Sequence, residues 1–283
     1  MEKVLILGNK GMLGHVLYEI LQSKTYTKKY EVIGVNRLKN NTDQNSFNID
    51  VQNFDKLEKL IEIQQPKYVV NCIGILVQDS IAYPSLAIKI NSLLPHVLNE
   101  LSFRYNFKLT HISTDCVFDG KKGNYKEYDK KTETNYYGLT KNLGEIDNNK
   151  NLTIRTSIIG PELKTTPTGL FNWVLSKKRK FIDGYSNVIW SGLTTIELSK
   201  FIIWSFNKDL VGIIHATNSE SISKYDLIDI INSTFNLDIK LNKELNKSVN
   251  KTLINNIVED YTFPTYTLMI EEMKNWIDSS KEY

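Results

Sequence analysis

Val4-Leu5-Ile6-Leu7 is an unbroken apolar run that leads directly into Gly8-Asn9-Lys10-Gly11-Met12-Leu13-Gly14. Val16, Leu17, Ile20 and Leu21 then recur at helical spacing. A short apolar run bounded by glycine reads as a buried parallel strand, and the pattern beyond it as a helix. The loop between them is G-x-x-G-x-x-G. Gly8 permits the tight turn, Gly11 lets the backbone approach a pyrophosphate, and Gly14 lets helix and strand pack closely. The free N–H groups at the helix start, from Gly11 through Met12 and Leu13, offer partial positive charge to phosphate. A strand, a glycine loop and a helix in this order constrain the chain to an α/β fold that binds a dinucleotide.

The rest of the chain continues the alternation. Tyr30–Val35 reads as the second strand, ending at Asn36 and Arg37. NAD sites place an acid there for the ribose 2′-hydroxyl, whereas a basic residue suits a 2′-phosphate. Asn36 and Arg37 therefore favour NADPH over NADH. Phe47–Val51 reads as a third strand whose Asp50, beside Val51, is placed to accept from an adenine amino group. Tyr68–Gly74 is the fourth, with Cys72, Ile73 and Gly74 lying against the cofactor. Lys108–Ser113 is the fifth and Leu152–Thr156 the sixth. The expected fold is a Rossmann-type, doubly wound parallel sheet with ligands beyond its carboxyl edge. Residues 1–160 would form the NAD(P)-binding domain, completed by about 196–218, where Gly212–Ala216 returns as a strand. About 161–195 and 219–283 would form a smaller C-terminal α/β substrate lobe. Within it, Ser223 reads as a helix N-cap and Lys240–Thr252, with few apolar anchors, as a mobile loop. Lys39–Asp43 and Asn148–Asn151 read as polar turns.

Composition excludes several classes. A net charge of +3 with scattered lysines gives no basis for binding nucleic acid or an anionic membrane. No apolar run reaches membrane-spanning length, and the N-terminal run enters a glycine loop instead of a cleavage site. Cys72 and Cys116 sit in apolar runs and read as reduced thiols of a cytoplasmic protein. His15, His96, His111 and His215 form no cluster with metal-ligand spacing, so no metal is expected. The basic run Lys177–Lys180 reads as a solvated helix end.

Asn135-Tyr136-Tyr137-Gly138-Leu139-Thr140-Lys141 reads as a helix start with Tyr137 and Lys141 on one face. They are the only Tyr-x-x-x-Lys pair in the sequence. A lysine beside a phenol lowers its pKa, and a tuned tyrosine can pass a proton to a carbonyl oxygen as a hydride arrives. Thr114, where the fifth strand gives way to a loop, is placed to orient that carbonyl.

Together, Gly8-x-x-Gly11-x-x-Gly14, Ser113-Thr114-Asp115-x-Val117-Phe118-x-Gly120 and Tyr137-Gly138-x-Thr140-Lys141 resemble the extended short-chain dehydrogenase/reductases, and within them the dTDP-4-dehydrorhamnose reductase group. Asn142-Leu143-Gly144-Glu145 and Asn91 fit the same group. The resemblance implies a catalytic set of Thr114 (polarising the carbonyl), Tyr137 (general acid) and Lys141 (lowering the Tyr137 pKa and bonding the nicotinamide ribose). The implied reaction is reduction of the 4-keto group of a nucleotide-linked 6-deoxyhexose, which supplies a deoxysugar donor for surface polysaccharide. Val77, Asp115, Cys116 and Trp190 are expected along the substrate, and homodimers are common in the family. Cys116 stands where the family usually has Tyr, and the segment Trp190–Thr195 lacks the family's proline. A UDP-2-acetamido-2,6-dideoxyhexulose would suit such a pocket as well as the dTDP sugar. The further alternatives are an epimerase or dehydratase on the same fold, and a non-catalytic subunit like the one that regulates methionine adenosyltransferase.

Overall fold

A computed structural model describes residues 1–38, 43–164 and 166–280. The turn expected at 39–43 lies outside the described residues except for Asp43. In chain order the first half comprises β1 (Glu2–Leu7), α1 (Met12–Leu21), β2 (Tyr30–Asn36), β3 (Ser46–Asn48), α2 (Phe54–Gln64), β4 (Tyr68–Asn71), α3 (Val77–Ala82), α4 (Pro84–Ala87), a π-helical turn (Ile88–Leu93), α5 (Leu94–Arg104) and β5 (Lys108–Ile112). A 3-10 turn (Asp115–Val117) follows, then α6 (Tyr136–Leu143), β6 (Leu152–Arg155), β7 (Ile158–Ile159), α7 (Leu170–Leu175), β8 (Phe181–Tyr185), β9 (Val188–Trp190) and β10 (Leu193–Thr194). The remainder is α8 (Thr195–Ser205), β11 (Gly212–His215), β12 (Ile222–Ser223), α9 (Lys224–Thr234), β13 (Lys240–Glu244), β14 (Val249–Asn250) and α10 (Tyr266–Ser279).

The main sheet has seven strands in the order β11-β6-β5-β4-β1-β2-β3, all parallel. This is the expected Rossmann-type arrangement. Side chains of β1 alternate between the two faces: Val4 and Ile6 join one apolar core, Leu5 and Leu7 the other. Burial on both faces is why the strand reads as a continuous apolar run and not as an alternating one. α1, α8 and α10 contribute Leu17, Phe201 and Met273 to the first core; α2 and α5 contribute Leu57 and Leu98 to the second.

Two local expectations are corrected. The third strand ends at Asn48, because Asp50 turns its carboxylate onto the backbone and side-chain amides of Gln52, at 3.0 and 3.1 Å. That turn leads into α2, where Asn53 caps Lys56 N–H. Lys240–Thr252 is not a loose loop. β13 pairs in parallel with β8 over five residues, β14 pairs with β9, and Asn250 N–H donates to the Gly120 carbonyl at 2.9 Å. Backbone pairing supplies the anchoring that the apolar pattern lacks. Ser223 caps α9 as expected, accepting from Asp226 N–H at 2.9 Å.

Gly8 holds φ +86°, and a Cβ at Gly14 would stand 2.1 Å from the Gly8 carbonyl oxygen. Backbone occupies that space, so no rotamer change relieves the clash. Gly14→Ala should destabilise the protein by at least ~1–3 kcal/mol, the range for overpacking a filled core. Urea denaturation measures this, and an unchanged midpoint would contradict the close packing.

Candidate active site

The parallel sheet places the glycine loop, the end of β4 and the end of β5 along one edge. At the loop, Gly11 caps α1 with no side-chain hydrogen bond, so Met12 and Leu13 open the helix without a competing side-chain acceptor. Ile73 lies against Gly8, where a Cβ would meet its Cγ1 at 2.9 Å, and Cys72 N–H donates to the Leu7 carbonyl at 3.1 Å. Gly74 and Val77 are exposed beyond them, Val77 as the first residue of α3. Val51 is buried and Asp50 exposed.

Asn36 is placed differently from expectation. It is buried, its amide donating to Asn9 Oδ1 at 3.0 Å and Ser46 Oγ at 2.9 Å, while its Oδ1 accepts Leu38 N–H at 2.8 Å. Those bonds use both amide hydrogens inside the protein, which leaves the exposed Arg37 as the side chain presented beside it. Asn9, fully buried inside the glycine loop, was not marked as a site residue by the sequence pattern. Its role shows only when β2 and β3 are side by side.

At the end of β5, Thr114 holds extended backbone and caps the 3-10 turn. Its Oγ1 accepts Cys116 N–H at 3.1 Å and donates to Asp115 Oδ1 at 3.0 Å. Asn135 caps α6 by accepting Gly138 N–H at 2.9 Å, which presents Tyr137 at the helix start. Burial lifts the Tyr137 phenol well above its ordinary range, and the neighbouring Thr114 hydroxyl opposes that only in part. The buried Lys141 ammonium donates to the Ile112 carbonyl at 2.6 Å and lies 3.4 Å from His111 Nε2. Burial pulls Lys141 down to about 8, opposed by Glu145. Burial, and then the Lys141 charge, hold His111 neutral. The helix sets Tyr137 and Lys141 one turn apart, but the lysine is bonded to a backbone carbonyl, and against expectation the phenol stands above its ordinary range and not below it.

Trp190 is a correction. It is 5% exposed, its Nε1 donates to Ser157 Oγ at 2.7 Å, and Tyr266 packs at 5.6 Å between ring centroids. Lys224 Nζ sits 4.7 Å from the ring centroid. The indole is a core residue carrying a cation, not an open stacking surface.

Two lysines that the sequence did not mark stand near Asp115. Lys224, the first residue of α9, has no hydrogen bond or ion pair among the described residues, and burial lowers it to about 8 against the pull of Asp115 and Cys116. Lys251 pairs with Glu133 at 2.7 Å; burial lowers it, but Cys116, Glu133 and Asp115 together raise it above the ordinary value. No local pattern marks either one. Both are brought to Asp115 by chain more than a hundred residues downstream. Burial raises Asp115, and the Thr114 hydrogen bond and both lysines oppose that. No cluster of metal-ligating groups occurs among the described residues, and no helix among them is long and apolar enough to cross a membrane.

Residues 1–255 match the family model described as the RmlD substrate binding domain. The chain belongs to this family. It is 27% identical over 243 residues to the dTDP-4-dehydrorhamnose reductase of Aggregatibacter actinomycetemcomitans, covering 80% of this chain and 76% of that protein. It is 26% identical over 251 residues to methionine adenosyltransferase 2 subunit beta of Mus musculus, covering 83% and 72%. Its fold superposes with a TM-score of 0.82 on dTDP-4-dehydrorhamnose reductase from Bacillus anthracis, solved in complex with NADP, at 22% identity over 99% of this chain and 100% of that one.

Cys72 and Cys116 are free, and burial pushes each up to about 12. The thiolate is the reactive form. This member of the RmlD family should therefore react with a disulfide reagent at pH 7.5 at least a hundredfold more slowly when folded than in urea. Equal rates in the two states would show that the thiols are accessible.

Proposed function

We propose that this chain is an NADPH-dependent reductase acting on the 4-keto group of a nucleotide-linked 6-deoxyhexose, with a dTDP sugar as substrate. The observation that carries the reading is the convergence of Thr114, Tyr137 and Lys141 beside an uncapped glycine-loop helix. The loop fits the cofactor: side chains are excluded at Gly8 and Gly14, the α1 amides have no capping side chain, and no acid ends β2 where a 2′-phosphate would lie. Gly8 to Gly14 would hold the pyrophosphate, Arg37 the 2′-phosphate, and Cys72, Ile73 and Gly74 the nicotinamide side. NADPH supplies the hydride when bound. We read residues 1–160, completed by about 196–218, as the cofactor domain, and about 161–195 with 219–283 as the substrate lobe.

The side chains have distinct tasks in this scheme. The Thr114 hydroxyl turns from Asp115 to donate to the keto oxygen. Tyr137 gives its phenolic proton to the same oxygen. Lys141, one helical turn on, keeps a positive charge that favours the phenolate left behind. Lys224 receives the substrate's diphosphate, since a desolvated ammonium with no carboxylate partner gains most from an anion. Cys116 lines the sugar beside Tyr137. A second copy of the chain would find an apolar surface at the exposed Ile88, Leu93, Leu139 and Leu143, and free thiols suit a cytoplasmic location. A dehydratase is not favoured, because Asp115 is the only acid adjoining Thr114 in sequence, and an epimerase would retain NAD through purification and turn over no NADPH. The non-catalytic reading is not favoured either, because Thr114, Tyr137 and Lys141 are all present.

The test is NADPH oxidation with enzymatically generated dTDP-4-keto-6-deoxy-L-hexose, with the UDP-2-acetamido-4-keto sugar in parallel. Tyr137→Phe should cut turnover on the order of a hundredfold or more, with NADPH affinity nearly unchanged; full turnover would remove Tyr137 as the acid. The phenol stays protonated through the neutral range, so it does not limit the rate there. Lys141 carries its charge below about pH 8 and loses it above. The rate should therefore hold at neutral pH and fall as pH rises through that value. Lys224→Met should raise the KM for the sugar nucleotide about tenfold, equivalent to about 1.4 kcal/mol of binding, and leave NADPH affinity alone. A KM that does not move would place the diphosphate elsewhere.

A further inference from the structure

Glu145 lies four residues beyond Lys141, just past the Gly144 cap of α6, and is buried. Its Oε1 accepts the Ser113 hydroxyl at 2.7 Å. Arg155, fully buried at the end of β6, donates Nε–H to the same oxygen at 2.7 Å and Nη2–H to Oε2 at 2.8 Å. Lys131 approaches Oε2 at 3.2 Å. Burial alone would raise this carboxyl, but the Arg155 fork and the Ser113 hydroxyl outweigh it and hold the group below its ordinary range.

Ser113 stands between the two groups that the proposed chemistry needs. Ile112 before it supplies the carbonyl that holds Lys141. Thr114 after it supplies the hydroxyl beside Tyr137. The Ser113 N–H donates to the Ile154 carbonyl at 2.7 Å, so its backbone is fixed on β6 while its side chain is fixed on Glu145. Glu145 in turn belongs to the segment that ends the helix carrying Tyr137 and Lys141. One carboxylate therefore spans from the catalytic helix to the catalytic strand end.

A stability role alone does not account for this arrangement. Buried ion pairs contribute little net stability compared with apolar replacements. Arg155 also has other acceptors: its Nη1 reaches the Glu127 carbonyl at 2.9 Å and His215 Nε2 at 3.3 Å. His215 Nδ1–H donates to the Ile254 carbonyl at 3.0 Å, and the Glu127 carboxylate accepts from Asn256 N–H and Nδ2–H at 3.1 and 3.0 Å. The hub thus continues from the catalytic strand into residues 254–256.

We infer that Glu145 is a positioning residue: through the Ser113 hydroxyl it clips the end of α6 to the end of β5 and sets the separation between Tyr137, Lys141 and Thr114. The inference rests on the reductase reading, because that separation matters where a proton passes from Tyr137 to a carbonyl held by Thr114. A displacement of about 1 Å in such a geometry is enough to lose on the order of a hundredfold in rate.

The test uses Ser113→Ala, Ser113→Thr and Glu145→Asp in the full-length protein. Ser113→Ala keeps the buried ion pair intact and removes only the clip. Its kcat should fall about tenfold or more, while KM for NADPH and for the sugar nucleotide stays within about threefold. Ser113→Thr, which restores a hydroxyl, should recover most of the rate. Glu145→Asp keeps the charge for Arg155 but is too short to reach Ser113, and should behave like Ser113→Ala. Hydrogen exchange needs no substrate: amides of the Thr114–Val117 turn should exchange faster in Ser113→Ala while those of β1 and β4 do not change. A Ser113→Ala protein with wild-type kcat and unchanged exchange overturns the clip, as does a rate loss that merely follows the unfolded fraction. Accelerated exchange at the turn in Ser113→Ala, together with a wild-type protein that reduces neither sugar, would leave the clip standing and remove the reductase reading.

Discussion

Parallel pairing of all seven strands is the constraint on which the rest depends. A parallel sheet sends every carboxyl end to the same edge, so Gly8, Cys72, Ser113 and Thr156 emerge together although they are far apart in sequence. The crossover helices then bury both faces, leaving that edge as the place where backbone groups and polar side chains remain available. Gly8 and Gly14 let the first crossover begin without a side chain in the way. At the middle of the edge, Asn91 joins the loop after β4 to α6, donating to the Ile75 carbonyl at 3.0 Å and the Thr140 hydroxyl at 3.1 Å.

The charges at this edge sort into two kinds. Arg155 with Glu145, and Lys251 with Glu133, are paired and hydrogen-bonded, as charges withdrawn from water must be. Lys224 is desolvated over an indole with no carboxylate in hydrogen-bonding distance, and Lys141 has a backbone carbonyl in place of an anion. Both are brought to about 8 by burial. An ammonium held in that condition gains most from a ligand that brings negative charge, and a nucleotide diphosphate and a phenolate are such groups. On the proposed reading, the site withholds its counter-ions from the positions where the reaction supplies them.

Much of this architecture was legible in the sequence because the strands that bear it are buried on both faces and read as apolar runs, and because Gly8 to Gly14 form a local pattern. Thr114, Tyr137 and Lys141 were legible for a similar reason: a strand end and one helical turn are short-range features. Lys224, Lys251 and Asn9 were not. Their roles arise from pairings between β9, β12 and β14, or between β2 and β3, and no spacing within a segment encodes such contacts. Trp190 was ambiguous for the converse reason. An indole suits a stacking face or a core equally well, and only the Ser157 and Tyr266 contacts decide between them. Asp50 and the 240–252 segment misled where short polar stretches turned out to be governed by side-chain turns and backbone pairing and not by apolar spacing.

The electrostatics also bear on the direction of the chemistry. A tyrosine meant to collect a proton from an alcohol works best when its phenolate is accessible near neutral pH; one meant to deliver a proton works when the phenol stays intact until the oxygen beside it becomes basic. Burial holds Tyr137 in the protonated form, and the Thr114 hydroxyl pulls the other way. Cys116, itself raised to about 12, is too weak an acid to compete for the transfer and adds no charge beside it. It keeps the pocket wall small and neutral where a larger phenol would stand. On the proposed reading, that combination keeps the proton on Tyr137 until an oxygen basic enough to take it stands beside the phenol.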